Sequence, residues 1–228
     1  MNRERIVITG VGLASPNGNN LAEFRKNLLD GVSGVTSEYV KHVGKIPTGF
    51  VKSDVGKYLS KQQMQDYTRV AQIGVYCAEE CFADAGVNIK SNFDSSRLGI
   101  YVGTTEHGTI QVMQAMEELL IEGEDDDYPD GYDPDYWSAE INPNTVSNHP
   151  AGMISVHFQL HGPAYTVGAA CAGGNLGIKE AYDQLVLGYV DSAIGGGLSE
   201  TPRAFGAALS FKLSNALGTH EDASRASR

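Results

Sequence analysis

Cationic residues and long apolar runs are both scarce in this sequence. Lys and Arg number 17 against 28 Asp and Glu, which gives a formal net charge of −11 at pH 7. Nucleic acids and membrane surfaces are anionic, so this balance argues against a general binder of either. No run of about 18 apolar residues is present, and "MNRERIVITG" predicts neither a transmembrane span nor a signal peptide. We therefore expect a cytoplasmic protein with no nucleic-acid or membrane partner.

Cysteine is also scarce, with three in 228 residues. An odd count in a chain expected to be cytoplasmic argues against a disulfide framework and indicates free thiols. Cys77 and Cys81 lie four residues apart and can share one helical face. Because no further ligands lie nearby, packing in the core is favoured over a metal site for this pair.

Strand and helix patterns alternate along the chain. Short apolar runs predict strands at 5–12, 97–105, 164–170 and 191–200. Amphipathic stretches predict helices at 21–31, 60–86, 109–123, 145–162 and after Cys171. The expected punctuation is Ser60 as an N-cap, Gly86 as a helix stop and Pro150 in a first turn. Strands separated by helices predict an α/β fold with a mostly parallel sheet.

Three other patterns suggest ligand sites but fit them poorly. Residues 121–137, "IEGEDDDYPDGYDPDYW", favour an acidic surface loop, because the ligand register of a calcium loop is missing. In "TGVGLASPNG", Ser15 replaces the third glycine of a dinucleotide fingerprint, and "IGGGLSE" lacks the Lys of a phosphate loop. His157 and His161 are four apart but lack the intervening Glu of a zinc motif. Neither a cofactor nor a metal is predicted.

Cys171 differs from the other cysteines because it lies between a predicted strand and a predicted helix, in "AYTVGAACAGGNLGIKEAYDQL". A side chain on such a turn is presented at the carboxyl edge of the sheet, where open α/β folds build their sites. The helix N-terminus favours a thiolate, and nearby N–H groups can donate to an oxyanion. Two interpretations remain open, a small buried cysteine and an acyl-transfer nucleophile.

The order of several segments resembles the N-terminal half of elongating beta-ketoacyl synthases, in the thiolase-like superfamily. These segments are "RIVITGVGLASPNGN", "CFADAG", "RLGIYVGTT", "GPAYTVGAACAGGNLGIKEAYDQL" and "GYVDSAIGGGLSE". The resemblance implies a layered αβαβα fold, of which residues 1–228 supply most of the N-terminal half. It spans nearly the whole chain, and its most specific part surrounds Cys171.

By its place in the motif, Cys171 resembles the residue that accepts an acyl group from an acyl carrier protein. The resemblance implies that a malonyl extender is then decarboxylated and condensed with that thioester, which extends the chain by two carbons in fatty acid or polyketide synthesis. Chain-length factors, the inactive partners in this family, lack the cysteine. Two alternatives stay open: a non-catalytic partner in a condensing heterodimer, and a dinucleotide-binding oxidoreductase.

The length departs from the family pattern. Members are nearly twice as long, and the paired histidines, lysine and glycine-phenylalanine loop that complete their site match positions beyond Arg228. His107 and His149 lie in segments similar to the family's substrate-pocket neighbourhood, not in its catalytic positions. We therefore expect the remainder on a second chain of a nicked or genetically split synthase, in a homodimer or heterodimer of synthase units; a fragment of a longer chain is the alternative.

A carrier protein is acidic, so its docking face is expected to be basic. The candidate docking residues are Lys61, Arg69, Arg203, Lys212, Arg225 and Arg228. The neighbours of Lys61 are Gln62, Gln63 and Gln65, where the family is often more basic, which favours a specialised carrier.

Overall fold

The computed structural model describes residues 5–105, 107–199 and 205–226. The strands in chain order are β1 (Thr36–Val40), β2 (Gly44–Thr48), β3 (Leu98–Gly103), β4 (Ala164–Val167) and β5 (Ser192–Gly197). The helices are α1 (Leu21–Leu29), α2 (Lys61–Asp66), α3 (Arg69–Ala85), α4 (Ile89–Asn92), α5 (Thr109–Glu117), α6 (Ile141–Thr145), α7 (His149–Phe158), α8 (Gly173–Val186) and α9 (Phe205–Leu213). Within the described ranges, no helix is long and apolar enough to cross a bilayer.

The main sheet is parallel, with the order β4-β3-β5. All six residues of β3 are buried, as a central strand covered on both faces must be. Ile100 and Val102 face a core shared with α3 and α7, while Tyr101 points the opposite way and packs with Ala181 of α8. The predicted mostly parallel sheet between helices is confirmed.

Glycine allows α8 to approach the sheet closely. A Cβ atom added to Gly103 would overlap the carbonyl group of Gly173, and one added to Gly177 would overlap the carbonyl oxygen of Gly196. Only hydrogen fits between these backbones. In "IGGGLSE", an added Cβ would be too close to Ala181 at Gly195 and to Gly174 at Gly197, so these two glycines serve helix packing.

The predicted helix at 60–86 is wrong in one respect, because it is two helices. Ser60 caps α2 in a capping box with Gln63, and Gly86 ends α3 at φ +65°, both as predicted. Tyr67 adopts an extended conformation, and the hydroxyl of Thr68 accepts a hydrogen bond from the Ala71 N–H to start α3. A second N-cap within the periodic stretch therefore interrupts it.

The predicted strand at 5–12 is also wrong, because the described residues of this segment form no ladder with another strand. Val7 and Ile8 are 65% and 83% exposed. Gly10 and Gly12 lie so close to the Cys81 and Cys77 backbones of α3 that a Cβ at either position would overlap them. The segment thus packs alongside α3. Within the described ranges its backbone lacks the partner strand that a β conformation requires.

The remaining differences are local. Residues 32–58, which show no clear periodicity, contain the antiparallel hairpin β1–β2, and its Val40, Val43 and Ile46 pack against Ala208 of α9. The helix predicted at 109–123 continues past α5 as a π-helical turn, Glu118–Glu122. The helix predicted at 145–162 is confirmed over a shorter span, with Pro150 in the first turn of α7.

Candidate active site

Cys171 lies on a tight turn between β4 and α8. A single 3-10 turn, Ala170–Ala172, joins the strand region to the helix, and the Cys171 side chain is exposed. Ala170 has φ +46°, in the left-handed region that a side chain disfavours. Backbone strain of this kind persists where the surrounding fold enforces it. The exposure excludes the interpretation of Cys171 as a small buried cysteine.

The backbone around Cys171 has unused donor capacity. The Cys171 N–H has no hydrogen-bond partner among the described residues, and no side chain caps the N-terminus of α8, a helix of 14 residues. The positive end of the helix dipole therefore faces the turn. A thiol here has an N–H within its own residue that can donate to an oxyanion formed at an acyl carbon.

Two histidines occupy the same end of the sheet. His107 follows β3 and His149 begins α7, and their rings stack with centroids 5.4 Å apart at 15°. Burial, together with the neighbouring His149, lowers the pKa of His107 to about 4, although the Asn144 backbone opposes this. Burial also lowers the pKa of His149, and the Pro143 carbonyl acts against that shift. Both rings are therefore neutral at physiological pH.

The hydrogen bonds of His149 fix its tautomer. Its Nδ1 lies 3.0 Å from the Pro143 carbonyl oxygen, which can only accept, so Nδ1 carries the proton. Its Nε2 accepts from the Thr68 N–H at 3.5 Å. Both ring nitrogens are thus used within the fold.

The other cysteines are in a different environment. Cys77 and Cys81 are half-buried on α3, facing the 10–12 segment. Burial raises the pKa of the Cys77 thiol to about 12 and also raises that of Cys81. Both are protonated and poorly nucleophilic at neutral pH. The predicted packing role of this pair is consistent with these positions.

His157 and His161 do not share a helical face, because α7 ends at Phe158. His157 Nε2 lies 2.9 Å from a Glu79 carboxylate oxygen, and its Nδ1 lies 3.4 Å from the Gln63 amide. This histidine therefore connects α7 with α2 and α3. In the part of the chain that the structure describes, no three His, Cys, Asp or Glu side chains are grouped as metal ligands.

The acidic segment 121–137 is ordered by its own backbone. The Asp125 N–H donates to the Gly131 carbonyl at 3.0 Å, and the Asp133 N–H donates to the Gly123 carbonyl at 2.7 Å. Trp137 at its end is exposed. The segment falls within residues 98–178, which contain neither Lys nor Arg.

The proposed docking cations are scattered. Lys61 is exposed at the first residue of α2, and Arg69 is half-buried at the start of α3. Lys212 donates to the Val43 carbonyl at 2.8 Å, and Arg225 is exposed in a 3-10 turn. The two remaining candidates, Arg203 and Arg228, lie outside the described residues.

Sequence reasoning located the turn at Cys171 but not the strain at Ala170 or the buried hydroxyls of Thr104 and Thr166. Neither hydroxyl has a hydrogen-bond partner within the described ranges. For Thr104 the available signal was its position near the end of a predicted strand, whereas Thr166 lies inside one.

A parallel sheet, a helix packed on it through glycine and a cysteine on the connecting turn define an α/β fold of the thiolase-like ketosynthase type. The solved structure of the ishigamide ketosynthase/chain length factor has the same fold, with a TM-score of 0.80 and 24% identity over 96% of this chain and 52% of that one. AntDE:AntF, a type II PKS acyl-carrier protein in complex with its ketosynthase bound to the hexaketide, matches with a TM-score of 0.72 and 18% identity over 95% of this chain and 56% of that one.

The sequence places the chain more narrowly. The profile of the family "Beta-ketoacyl synthase, N-terminal domain" matches residues 3–228, and the chain belongs to this family. A curated relative, the 3-oxoacyl-[acyl-carrier-protein] synthase 2 of Staphylococcus aureus (strain COL), is 28% identical over 232 residues, which cover 99% of this chain and 52% of the relative. The chain therefore spans about half the length of the curated relatives it matches, and the dinucleotide-binding alternative is not favoured.

Proposed function

We propose that this chain carries the acyl-accepting half of a beta-ketoacyl synthase active site, with Cys171 as the nucleophile. The observation that carries the proposal is the exposed cysteine on a strained turn, with an unpaired N–H of its own at the N-terminus of α8. Membership of the family and the likeness to ketosynthase structures support the same assignment.

In the first half-reaction, the Cys171 sulfur attacks the acyl carbonyl carbon of an acyl carrier thioester. The new C–S bond forms as the bond to the carrier sulfur breaks, and the carrier leaves as a thiol with the proton that Cys171 loses. The Cys171 N–H donates to the oxygen on which negative charge develops.

In the second half-reaction, a malonyl carrier thioester loses CO₂, and its carbanion attacks the thioester at Cys171. The bond to the Cys171 sulfur breaks, the released thiolate takes a proton from solvent, and the product is a 3-oxoacyl carrier two carbons longer. Under this proposal, the groups that assist decarboxylation come from outside the 228 residues.

Intact-mass spectrometry after incubation with an acyl-[acyl carrier protein] tests the assignment. The wild-type protein is expected to gain one acyl mass, and Cys171→Ala is expected to gain none. Cys81→Ala is the matched control, because it removes a half-buried thiol on α3 and should leave loading intact. A wild-type protein that stays unmodified while folded would refute the proposal and favour a non-catalytic partner in a condensing heterodimer.

Carrier docking through exposed cations is part of the proposal, since Lys61 and Arg225 are each exposed and a carrier protein is acidic. The acidic segment 121–137 is the least suitable face, because like charges there would repel the carrier.

The complementary half of the synthase is the second proposed partner, supplied by a second chain in a homodimeric or heterodimeric assembly. Its support is the 5–12 segment, which pairs with no strand within the described ranges and exposes Val7 and Ile8. Unpaired backbone and exposed apolar side chains are typical of a surface that another segment covers. Purification of the tagged chain from its native source, followed by mass spectrometry, tests this. A monomeric, folded and fully active chain would contradict it.

A further inference from the structure

Four buried polar atoms without a hydrogen-bond partner among the described residues belong to residues at or just after the carboxyl ends of β3 and β4. They are Thr104 Oγ1, Thr166 Oγ1 and both ring nitrogens of His107. Elsewhere in the described ranges, the buried side-chain atoms without a hydrogen-bond partner are Asn17 Oδ1 and the Tyr101 hydroxyl. An unsatisfied buried group costs about 1–3 kcal/mol, so such groups rarely cluster unless something binds them. We call Thr104, His107 and Thr166 the polar niche.

The topology explains why the niche forms. Val102 faces the core shared with α3 and α7, and Thr104, two residues further, continues on that face. Thr166 pairs in register with Val102 and therefore faces the same way. The N-termini of α3 and α7 meet there, because the Thr68 N–H bonds to His149. The niche thus lies between two strand ends and two helix N-termini.

The backbone at Thr104 is close to the start of α8. A Cβ built on Gly173 would lie 3.4 Å from the Thr104 nitrogen, and Gly173 is two residues beyond Cys171. Thr166 precedes Cys171 by five residues, a separation of at most about 17 Å even for an extended chain. An acyl chain attached to the Cys171 sulfur begins at the same edge of the sheet.

The chemistry of the niche selects its ligand. His149 has used both ring nitrogens within the fold, whereas neither ring nitrogen of His107 has a described partner of good hydrogen-bond geometry, although the Asn144 backbone lies near the ring. Two threonine hydroxyls add neutral groups that both donate and accept. Neutral donors in a buried site match a carbonyl or hydroxyl oxygen, and a hydrocarbon chain would leave all of them unpaired.

We infer that the polar niche binds an oxygen on the acyl chain carried by Cys171, so that His107, Thr104 and Thr166 determine a preference for keto- or hydroxyacyl chains over saturated ones. The inference rests on the proposed function, because it requires that Cys171 carry the chain.

Loading of Cys171 from small thioesters tests the preference. The probes are the N-acetylcysteamine thioesters of hexanoic, 3-hydroxyhexanoic and 5-oxohexanoic acids, and the readout is the rate of mass gain at Cys171. The wild-type protein is expected to load at least one oxygenated probe faster than hexanoyl. His107→Phe is expected to reduce that rate ratio about tenfold, the factor that corresponds to one hydrogen bond.

Thr104→Val and Thr166→Val provide an independent test, because valine nearly preserves the shape of threonine while removing the hydroxyl. Each is expected to lower the ratio about threefold or more. His220→Phe is the matched control: this exposed histidine contacts the Asp222 backbone, and its replacement should leave the ratio unchanged.

The possible failures are distinguishable. If the wild-type protein loads no probe and no acyl carrier protein substrate, the proposed function is wrong and the inference is wrong with it. If all three probes load and the ratio is the same in the wild type and in the niche variants, the inference is wrong while the proposed function stands. If His107→Phe does not fold, the two valine variants decide.

Discussion

The contact between α8 and the sheet provides a test of the fold that does not depend on activity. Gly177→Ala places a methyl group against the Gly196 carbonyl oxygen and 2.8 Å from the Tyr101 carbonyl oxygen. Both obstacles are strand backbone, which cannot rotate away as a side chain would, so we take the upper end of the usual overpacking cost, about 3 kcal/mol. Alanine regains about 1 kcal/mol of helix propensity. The net loss in the free energy of unfolding is therefore about 2 kcal/mol.

A matched control exists on α7. Gly152 is also helical, but a Cβ there meets no other atom within 4 Å. Gly152→Ala should therefore stabilise the protein by about 1 kcal/mol through helix propensity alone. Thermal unfolding of the purified protein measures both, with Gly177→Ala lowering Tm by roughly 4–8 °C and Gly152→Ala raising it by roughly 2–4 °C. Equal shifts of the same sign would refute the packing argument.

Three further predictions concern docking, pH and the sheet edge. Lys61→Glu should slow acyl loading from the carrier protein several-fold at low salt but not loading from a small thioester, whereas Lys26→Glu on α1 should change neither. The pKa of His107 is lowered to about 4, so between pH 6.5 and pH 4 the unfolded state binds a proton that the native state does not, and the native protein is destabilised as the pH falls. His107→Phe should reduce this loss of stability, which urea unfolding at the two pH values measures. Asn148→Ala should cost about 1–2 kcal/mol, because it removes side-chain hydrogen bonds to the Ala164 carbonyl and the Thr166 N–H, whereas Asn142→Ala should cost little.

Local signals in the sequence were sufficient where the cause is local. Ser60 with Gln63, Gly86 and Pro150 all behave as their types and positions predict, because a cap or a stop involves only neighbouring residues. The break at Tyr67 and Thr68 is not visible in the periodicity, because both residues fit one helix. The local signal is Thr68, an N-cap residue type whose hydroxyl accepts from the Ala71 N–H.

Non-local contacts explain the remaining differences. The apolar pattern at 5–12 predicts a strand, but a strand needs a partner, and no strand pairs with this segment in the described ranges. The hairpin β1–β2 was not expected because its burial depends on α9, which is distant in sequence. At the site, the strand-to-helix turn around Cys171 was readable from pattern, whereas the convergence of Thr104, His107 and Thr166 depends on strand register.

The glycine contact beneath α8 also bears on how this site can diverge. Main-chain atoms hold the helix that begins just after Cys171 against the sheet, so the coordinates of the sulfur depend little on which side chains surround the acyl chain. Under the proposed function, changes at Thr104, His107 and Thr166 are therefore expected to leave the proposed nucleophile in place. The same reasoning predicts that substrate preference and reactivity can be altered separately, with niche variants combined with an intact Cys171.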